Sequence, residues 1–129
     1  MIDVQDVLII HETLIKEFGG VSGVRDNALL ISALERPFAG LSDTEFYPTI
    51  YEKAGALIES IVKNHPFIDG NKRTGYVMMR LLLLENGYDI EASQDDKYEF
   101  VINIASGQLN IQQITQWILN HLKNNGLGY

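Results

Sequence analysis

The stretch that most constrains the fold is Thr74 to Asn86, TGYVMMRLLLLEN, in which Val77, Met78, Met79 and Leu81 to Leu84 leave almost no polar face. It has no strand-like alternation and no glycine between Gly75 and Gly87, so it reads as a helix that is apolar nearly all round. Such a helix belongs in the centre of a bundle. The rest of the chain must then supply amphipathic helices to cover it.

It does so. Val4, Val7, Leu8, His11, Leu14, Ile15 and Phe18 recur at spacings of three and four, with Asp3 as N-cap and Gly19-Gly20 as the stop. Asp26 or Asn27 caps a short helix through Leu29, Leu30, Ala33 and Leu34, which must end near Arg36 because Pro37 follows. Residues 37 to 47 have no helical period and several turn formers, and are expected to form a surface loop. A third helix runs from Pro48 or Thr49 to about Asn64 through Ile50, Tyr51, Ala54, Leu57, Ile58, Ile61 and Val62. After the helix over 72 to 86, Ser93 caps another over Tyr98, Phe100, Val101, Ile102 and Ile104. A last helix covers Ile111 to about Leu122. With no strand pattern and no repeat, the expectation is an all-α bundle of about six helices in one domain, 1–129, with helix 72 to 86 buried.

Charge and cysteine content narrow the function. Ten Lys plus Arg against seventeen Asp plus Glu give a net charge of −7, which argues against nucleic acid or anionic lipid as a partner. The absence of cysteine removes thiol nucleophiles and thiolate metal sites. No apolar run approaches the roughly 20 residues of a membrane span, and the N-terminal segment carries acids where a secretory signal would carry Lys or Arg. A cytoplasmic location is expected.

Chemistry concentrates in His65 to Gly75, HPFIDGNKRTG, a polar turn between two of the most apolar helices. A helix starting near Asn71 leaves its first N–H groups unpaired, which makes an anion site. Lys72 and Arg73 in that first turn oppose the helix dipole by about 0.3 to 1 kcal/mol each, a sign that a bound anion reverses. A polyphosphate fits, with an Asn amide, a Lys point charge and a forked Arg converging on its oxygens. Asp69 is the lone carboxylate that a phosphate-bound Mg²⁺ usually takes from the protein. Histidine is the side chain suited to accept a proton near neutral pH, and His65 lies at the other end of the turn. The competing view is that Asp-Gly-Asn is only a good turn, with Pro66 and Phe67 fixing the helix entry and Lys-Arg solvated. Gly70 and Gly75 have the spacing of a Walker A loop, but Tyr76-Val77 follow where Lys and Ser or Thr are required. Among the remaining residues, His11 is expected at the core or its boundary, His121 at a helix C-terminus, and Trp117 and Tyr98 in packing roles.

The segment HPFIDGNKRTG resembles the signature loop of the Fic/Doc family, and Lys at position 72 is similar to the Doc (death-on-curing) toxin branch. The stretch GGVSGVRDNALLISALERP, residues 19 to 37, resembles the segment such proteins carry between their first helices. The resemblance implies that His65 is the base acting on a target-protein hydroxyl and that Asp69 supports Mg²⁺. It further implies that Gly70, Asn71, Lys72 and Arg73 hold the phosphates of ATP and that residues 37 to 47 form the flap that docks the target. Where AMP-transferring Fic enzymes have a glycine this chain has Lys72, and Tyr76 stands at their second arginine. A lysine fills space that glycine leaves for phosphate, and the lost arginine removes a bidentate partner. The favoured expectation is therefore a toxin-like kinase that phosphorylates a Ser or Thr of a target protein, with elongation factor Tu implied, halting translation. AMP transfer and a catalytically silent helical interaction module remain as alternatives. The inhibitory Fic motif, a Ser or Thr four residues before Glu and then Gly or Asn, is not met: Glu85-Asn86 has the ending, but Leu81 holds the hydroxyl position. A separate antitoxin is thereby implied.

Overall fold

Six helices form among the described residues, and five of them start at a side-chain cap that the local sequence supplies. The computed structural model describes residues 2–123, so of the domain expected over 1–129, residues 1 and 124–129 lie outside it. Helix α1 spans Val4–Phe18, with the Asp3 carboxylate accepting from the Gln5 N–H. Helix α2 spans Asn27–Glu35 under an Asp26 cap on the Leu29 N–H, and Pro37 turns it into a 3₁₀ turn over Arg36–Phe38. Helix α3 spans Ile50–Asn64 behind a Thr49 cap, and α4 spans Asn71–Glu85 behind Gly70. Ser93 caps α5, Gln94–Ala105. A reciprocal Asn110–Gln113 capping box starts α6, Ile111–Asn120.

Helices α3 and α4 form an antiparallel pair at the centre. Helix α3 packs on α2, the 3₁₀ turn, α4, α5 and α6, and buries Ala54 to Ile58 and Ser60 to Val62. On α4, Asn71, Thr74, Gly75, Met78, Met79, Leu82 and Leu83 are buried, as expected for a core helix. Its coverage is not complete: Leu81 is 36% and Leu84 44% exposed. Gly75 lies directly against α3. A Cβ there would lie 2.9 Å from Val62 Cγ2, inside van der Waals contact with a β-branched side chain that cannot turn away.

Three sequence expectations are corrected. The segment 37 to 47 is not all irregular: β1, Gly40–Leu41, pairs antiparallel with β2, Thr44–Glu45, and Ser42 takes a positive φ of 53° in the turn. Strands of two exposed residues leave no alternating pattern to find. The last helix stops at Asn120. His121 caps it, and Leu122 instead makes an isolated bridge to Ile90. Tyr98 is 71% exposed. It is helically spaced from Val101 and Ile102, but the face of α5 that packs is set by Phe100, Val101 and Ile104, and Tyr98 lies two residues, about 200°, from Phe100. Trp117 does pack, stacking on Phe100 at 3.8 Å, and the His121 imidazole sits at the α6 C-terminus with Nδ1 2.7 Å from the Trp117 carbonyl.

Replacing Gly75 by Ala raises helix propensity by about 1 kcal/mol yet forces α3 and α4 apart. We expect Gly75→Ala to lower unfolding free energy by about 1 to 2 kcal/mol in urea titration. A stabilised variant would show that the helices do not meet at this point.

Candidate active site

The turn between α3 and α4 is held from both sides. On the inside, the Asn71 side chain is only 7% exposed with its residue, and it closes on one peptide: Oδ1 accepts from Phe67 N–H at 2.9 Å, and Nδ2 donates to Phe67 C=O at 3.0 Å. The Phe67 ring stacks on the His11 imidazole, centroids 3.8 Å apart and planes within 7°. His11 is 2% exposed, and its Nε2 donates to the Asp69 carbonyl at 2.8 Å, which sets the tautomer as Nε2–H. Gly70 follows at φ 75°, where a Cβ would press on Ile15 at 3.1 Å.

On the outside, the segment 20 to 26 lies along the turn as an edge. Val24 bridges Phe67, Ile68 N–H donates to the Gly23 carbonyl, and the Arg25 and Asp26 N–H groups share the Pro66 carbonyl. The Arg25 guanidinium then grips the end of α3, Nη2 on the Asn64 carbonyl at 2.7 Å and Nε on the His65 carbonyl at 2.6 Å. His65 caps α3 in the left-handed region, φ 49° and ψ 57°, which costs a residue with a Cβ about 1 to 2 kcal/mol. The surrounding bonds hold it there. Its imidazole is at the surface, with Pro66 and Phe67 buried behind it.

Asp69 is exposed but ordered. Oδ2 accepts from Val21 N–H at 3.1 Å and Oδ1 from Gly70 N–H at 2.8 Å, and these bonds hold its carboxyl below the usual aspartate range, aided by His11 and Lys72. It is therefore an ionised carboxylate with free lone pairs, a donor set that suits Mg²⁺ arriving with phosphates. Among the described residues no cluster of three His, Cys, Asp or Glu could hold a metal unaided. A cation here would depend on Asp69 and on ligands from outside the chain.

At the start of α4, Gly70 offers no side-chain cap, so the N–H groups of Asn71, Lys72 and Arg73 lack one too. Lys72 and Arg73 are exposed beside them. The Arg73 guanidinium lies over Phe18, 4.3 Å from the ring centroid, and Lys72 forms no ion pair among the described residues. The six residues singled out in the sequence, His65, Asp69, Gly70, Asn71, Lys72 and Arg73, thus share one turn, but Asn71 differs from the rest: its amide is engaged with Phe67, and only its backbone N–H faces outward chemistry. Tyr76 also turns away. Its hydroxyl is buried without a hydrogen-bond partner among the described residues, and burial pushes its pKa up to about 12.

His11, Phe18 and Arg25 support the site and were not picked out as such in the sequence. His11 reads there as a core residue, which it is; its bond to a carbonyl 58 residues away leaves no local trace. Arg25 sits in the glycine-rich stretch 19 to 26, whose surplus of turn formers over what a connector needs was the available signal.

This arrangement belongs to a known family. Residues 1–83 match the model of the Fic/DOC family, and the chain is a member of it. Among relatives, it is 38% identical over 99 residues to Toxin Doc of Mycolicibacterium smegmatis, covering 75% of this chain and 76% of that one. It is 34% identical over 87 residues to Protein adenylyltransferase Fic of Drosophila yakuba, and 33% identical to that of Drosophila melanogaster; each match covers 65% of this chain but 17% of the relative.

Two outcomes test this geometry. Asn71→Ala leaves both polar groups of the Phe67 peptide buried and unpaired, and should cost about 1 to 3 kcal/mol of stability, whereas His65→Ala should cost almost none. Equal effects in thermal unfolding would contradict the clamp. Because the Asp69 pKa is depressed in the fold, its anchoring is fully present above the ordinary value of 3.8 and is lost as pH falls below it. The Val21 amide resonance should shift over that acid range in wild type and stay put in Asp69→Asn.

Proposed function

We propose that the chain is a toxin-like, protein-modifying transferase that moves the γ-phosphoryl group of ATP to a Ser or Thr hydroxyl of a target protein. Elongation factor Tu is the target that the resemblance implies, with arrest of translation as the result. The observation carrying this reading is Lys72, exposed and without an ion pair among the described residues, in the first turn of a helix whose N-terminal N–H groups are uncapped. The similarity to Toxin Doc supports the same branch, since it spans about three quarters of both chains.

In this reading the nucleotide phosphates sit on the N–H groups of Asn71 to Arg73, with Lys72 and Arg73 neutralising their charge. Asp69 would hold the Mg²⁺ that comes with the nucleotide, and the ion would supply further neutralisation of phosphate charge. His65 accepts the proton of the acceptor hydroxyl as that oxygen bonds to the γ-phosphorus. The bond from γ-phosphorus to the β,γ-bridging oxygen breaks, and ADP leaves with that electron pair. The strained backbone at His65 fits a residue held for its position more than for its conformational ease. The 40 to 45 hairpin, tied to α3 by Lys53 on Glu45 and on the Tyr47 carbonyl, is the flap on which the target segment docks. A separate antitoxin restrains the activity, and the protein acts in the cytoplasm.

AMP transfer is the second reading, supported by the identity to adenylyltransferases over 65% of the chain. Against it stand Lys72 at the glycine position and, at the second arginine, a half-buried Tyr76 whose hydroxyl is enclosed.

Purified elongation factor Tu incubated with the chain, Mg²⁺ and ATP should gain about 80 Da for a phosphoryl group, rather than about 329 Da for AMP. His65→Ala should slow the gain by on the order of 10² to 10⁴. Lys72→Gly should slow phosphoryl transfer as well; an unaffected rate would remove Lys72 as the feature that selects it. A gain of AMP would overturn the kinase reading, and no gain would exclude this target or leave the silent helical module.

A further inference from the structure

On the far side of α3 from α4, an open cleft of about 750 Å³ lies between α2, the 3₁₀ turn and the last two turns of α3. Ile31, Ser32 and Glu35 form one wall and Arg36, Ser60 and Asn64 the other. Asn64 is the residue before His65, so the lip of the cleft is one Cα step, about 3.8 Å, from the catalytic candidate.

The charges in the cleft are unequal in what they have left to offer. Arg36 is engaged at all three nitrogens: Nε donates to the Tyr47 hydroxyl at 3.0 Å, Nη1 to Ser60 Oγ at 2.9 Å, and Nη2 pairs with Glu59 at 2.7 Å. Glu59 is balanced in turn by Arg36 and by Lys63 at 3.7 Å. Glu35 has no ion pair among the described residues. It is also the last residue of α2, whose final turn has no basic side chain and whose C-cap Arg36 directs its guanidinium to Tyr47, Ser60 and Glu59. A carboxylate at a helix C-terminus meets the negative end of the dipole, an unfavourable placement that a cation beside it reverses. Ile31, exposed next to it, offers an apolar wall that suits an aliphatic stem. An acidic or phosphorylated occupant would meet Glu35 as a like charge. An apolar one would cover Glu35, Ser32 and Asn64 without satisfying them.

We propose that this cleft is a specificity subsite for a lysine or arginine side chain of the acceptor segment, within about three residues of the hydroxyl that is modified. The inference deepens the transferase reading and rests on it for the identity of the segment. The cation-binding property of the cleft does not depend on that reading. The carboxylate of Glu35 receives the ammonium or guanidinium, Ile31 packs on the stem, and the segment's backbone passes the lip at Asn64 towards His65.

The test uses short threonine peptides in which one Arg is moved through the positions flanking the threonine, with Ala and Glu versions as controls. Two readouts are taken on the intact chain: mass gain with Mg²⁺ and ATP, and amide shifts of the ¹⁵N-labelled chain without nucleotide. We expect one Arg position to be favoured over Ala by about fivefold. Shifts should centre on Ile31, Ser32 and Asn64. Both effects should fade in Glu35→Gln, and the preference should turn towards Glu peptides in Glu35→Lys. Glu35 is exposed, so neither variant disturbs the core. A Glu35-dependent shift pattern with no mass gain on any peptide would uphold the subsite while the transferase reading failed. Equal treatment of Arg and Ala peptides in both readouts, or a preference for Arg that survives Glu35→Lys, would overturn the subsite.

Discussion

The peptide of Phe67 is the point on which the site depends. Its N–H and C=O are closed off by one buried asparagine amide, and its ring is pressed flat against a buried imidazole. Neither contact is generous in free energy alone, but each removes a freedom that the other leaves: the amide fixes the peptide plane, the stack fixes the side chain. With both in place, His65 behind and Asp69 ahead have little choice of position. The left-handed backbone at His65 is tolerable only because Arg25, Pro66 and the Phe67 peptide over-determine it.

The electrostatics follow a division of labour by distance. A chain of net charge −7 repels a polyphosphate at long range, an effect that fades beyond about 8 Å at physiological salt. In the proposed reading, capture is then a short-range matter of uncapped N–H groups, Lys72 and Arg73, and the ionised Asp69 beside them would favour an anion that brings its own divalent cation. At the other end of the turn the polarity is opposite: the cleft beyond Asn64 presents Glu35 and the end of α2. The two proposed ligands, one negative and one positive, would thus be held by residues on either side of His65 in the chain.

Much of this was legible in the sequence, and the division between what was and what was not is physical. Caps and stops are local, so Asp3, Asp26, Ser93 and the ends of α1 to α5 could be read from neighbours. The signature loop could be read because its chemistry is contiguous. What escaped were contacts whose partners lie far apart in the chain: Arg25 with the carbonyl of His65, His11 with that of Asp69. The role of Asn71 was visible by type but not by direction, since an amide suits a phosphate and a peptide equally well. Tyr98 failed for a related reason: periodicity gives a face, and only packing says which face is inside.

The antiparallel edge that Val24 makes with Phe67 joins parts of the chain that are far apart, whereas α3 and α4 are neighbours in sequence. Contacts of short loop length close fastest, so α3 and α4 can pair before residues 20 to 26 have arrived. In that interval the turn lacks its outer strap, and His65 has no reason to stay left-handed. Completion of the turn is thereby tied to docking of the N-terminal third, and any local opening that releases that third takes the geometry around His65 with it.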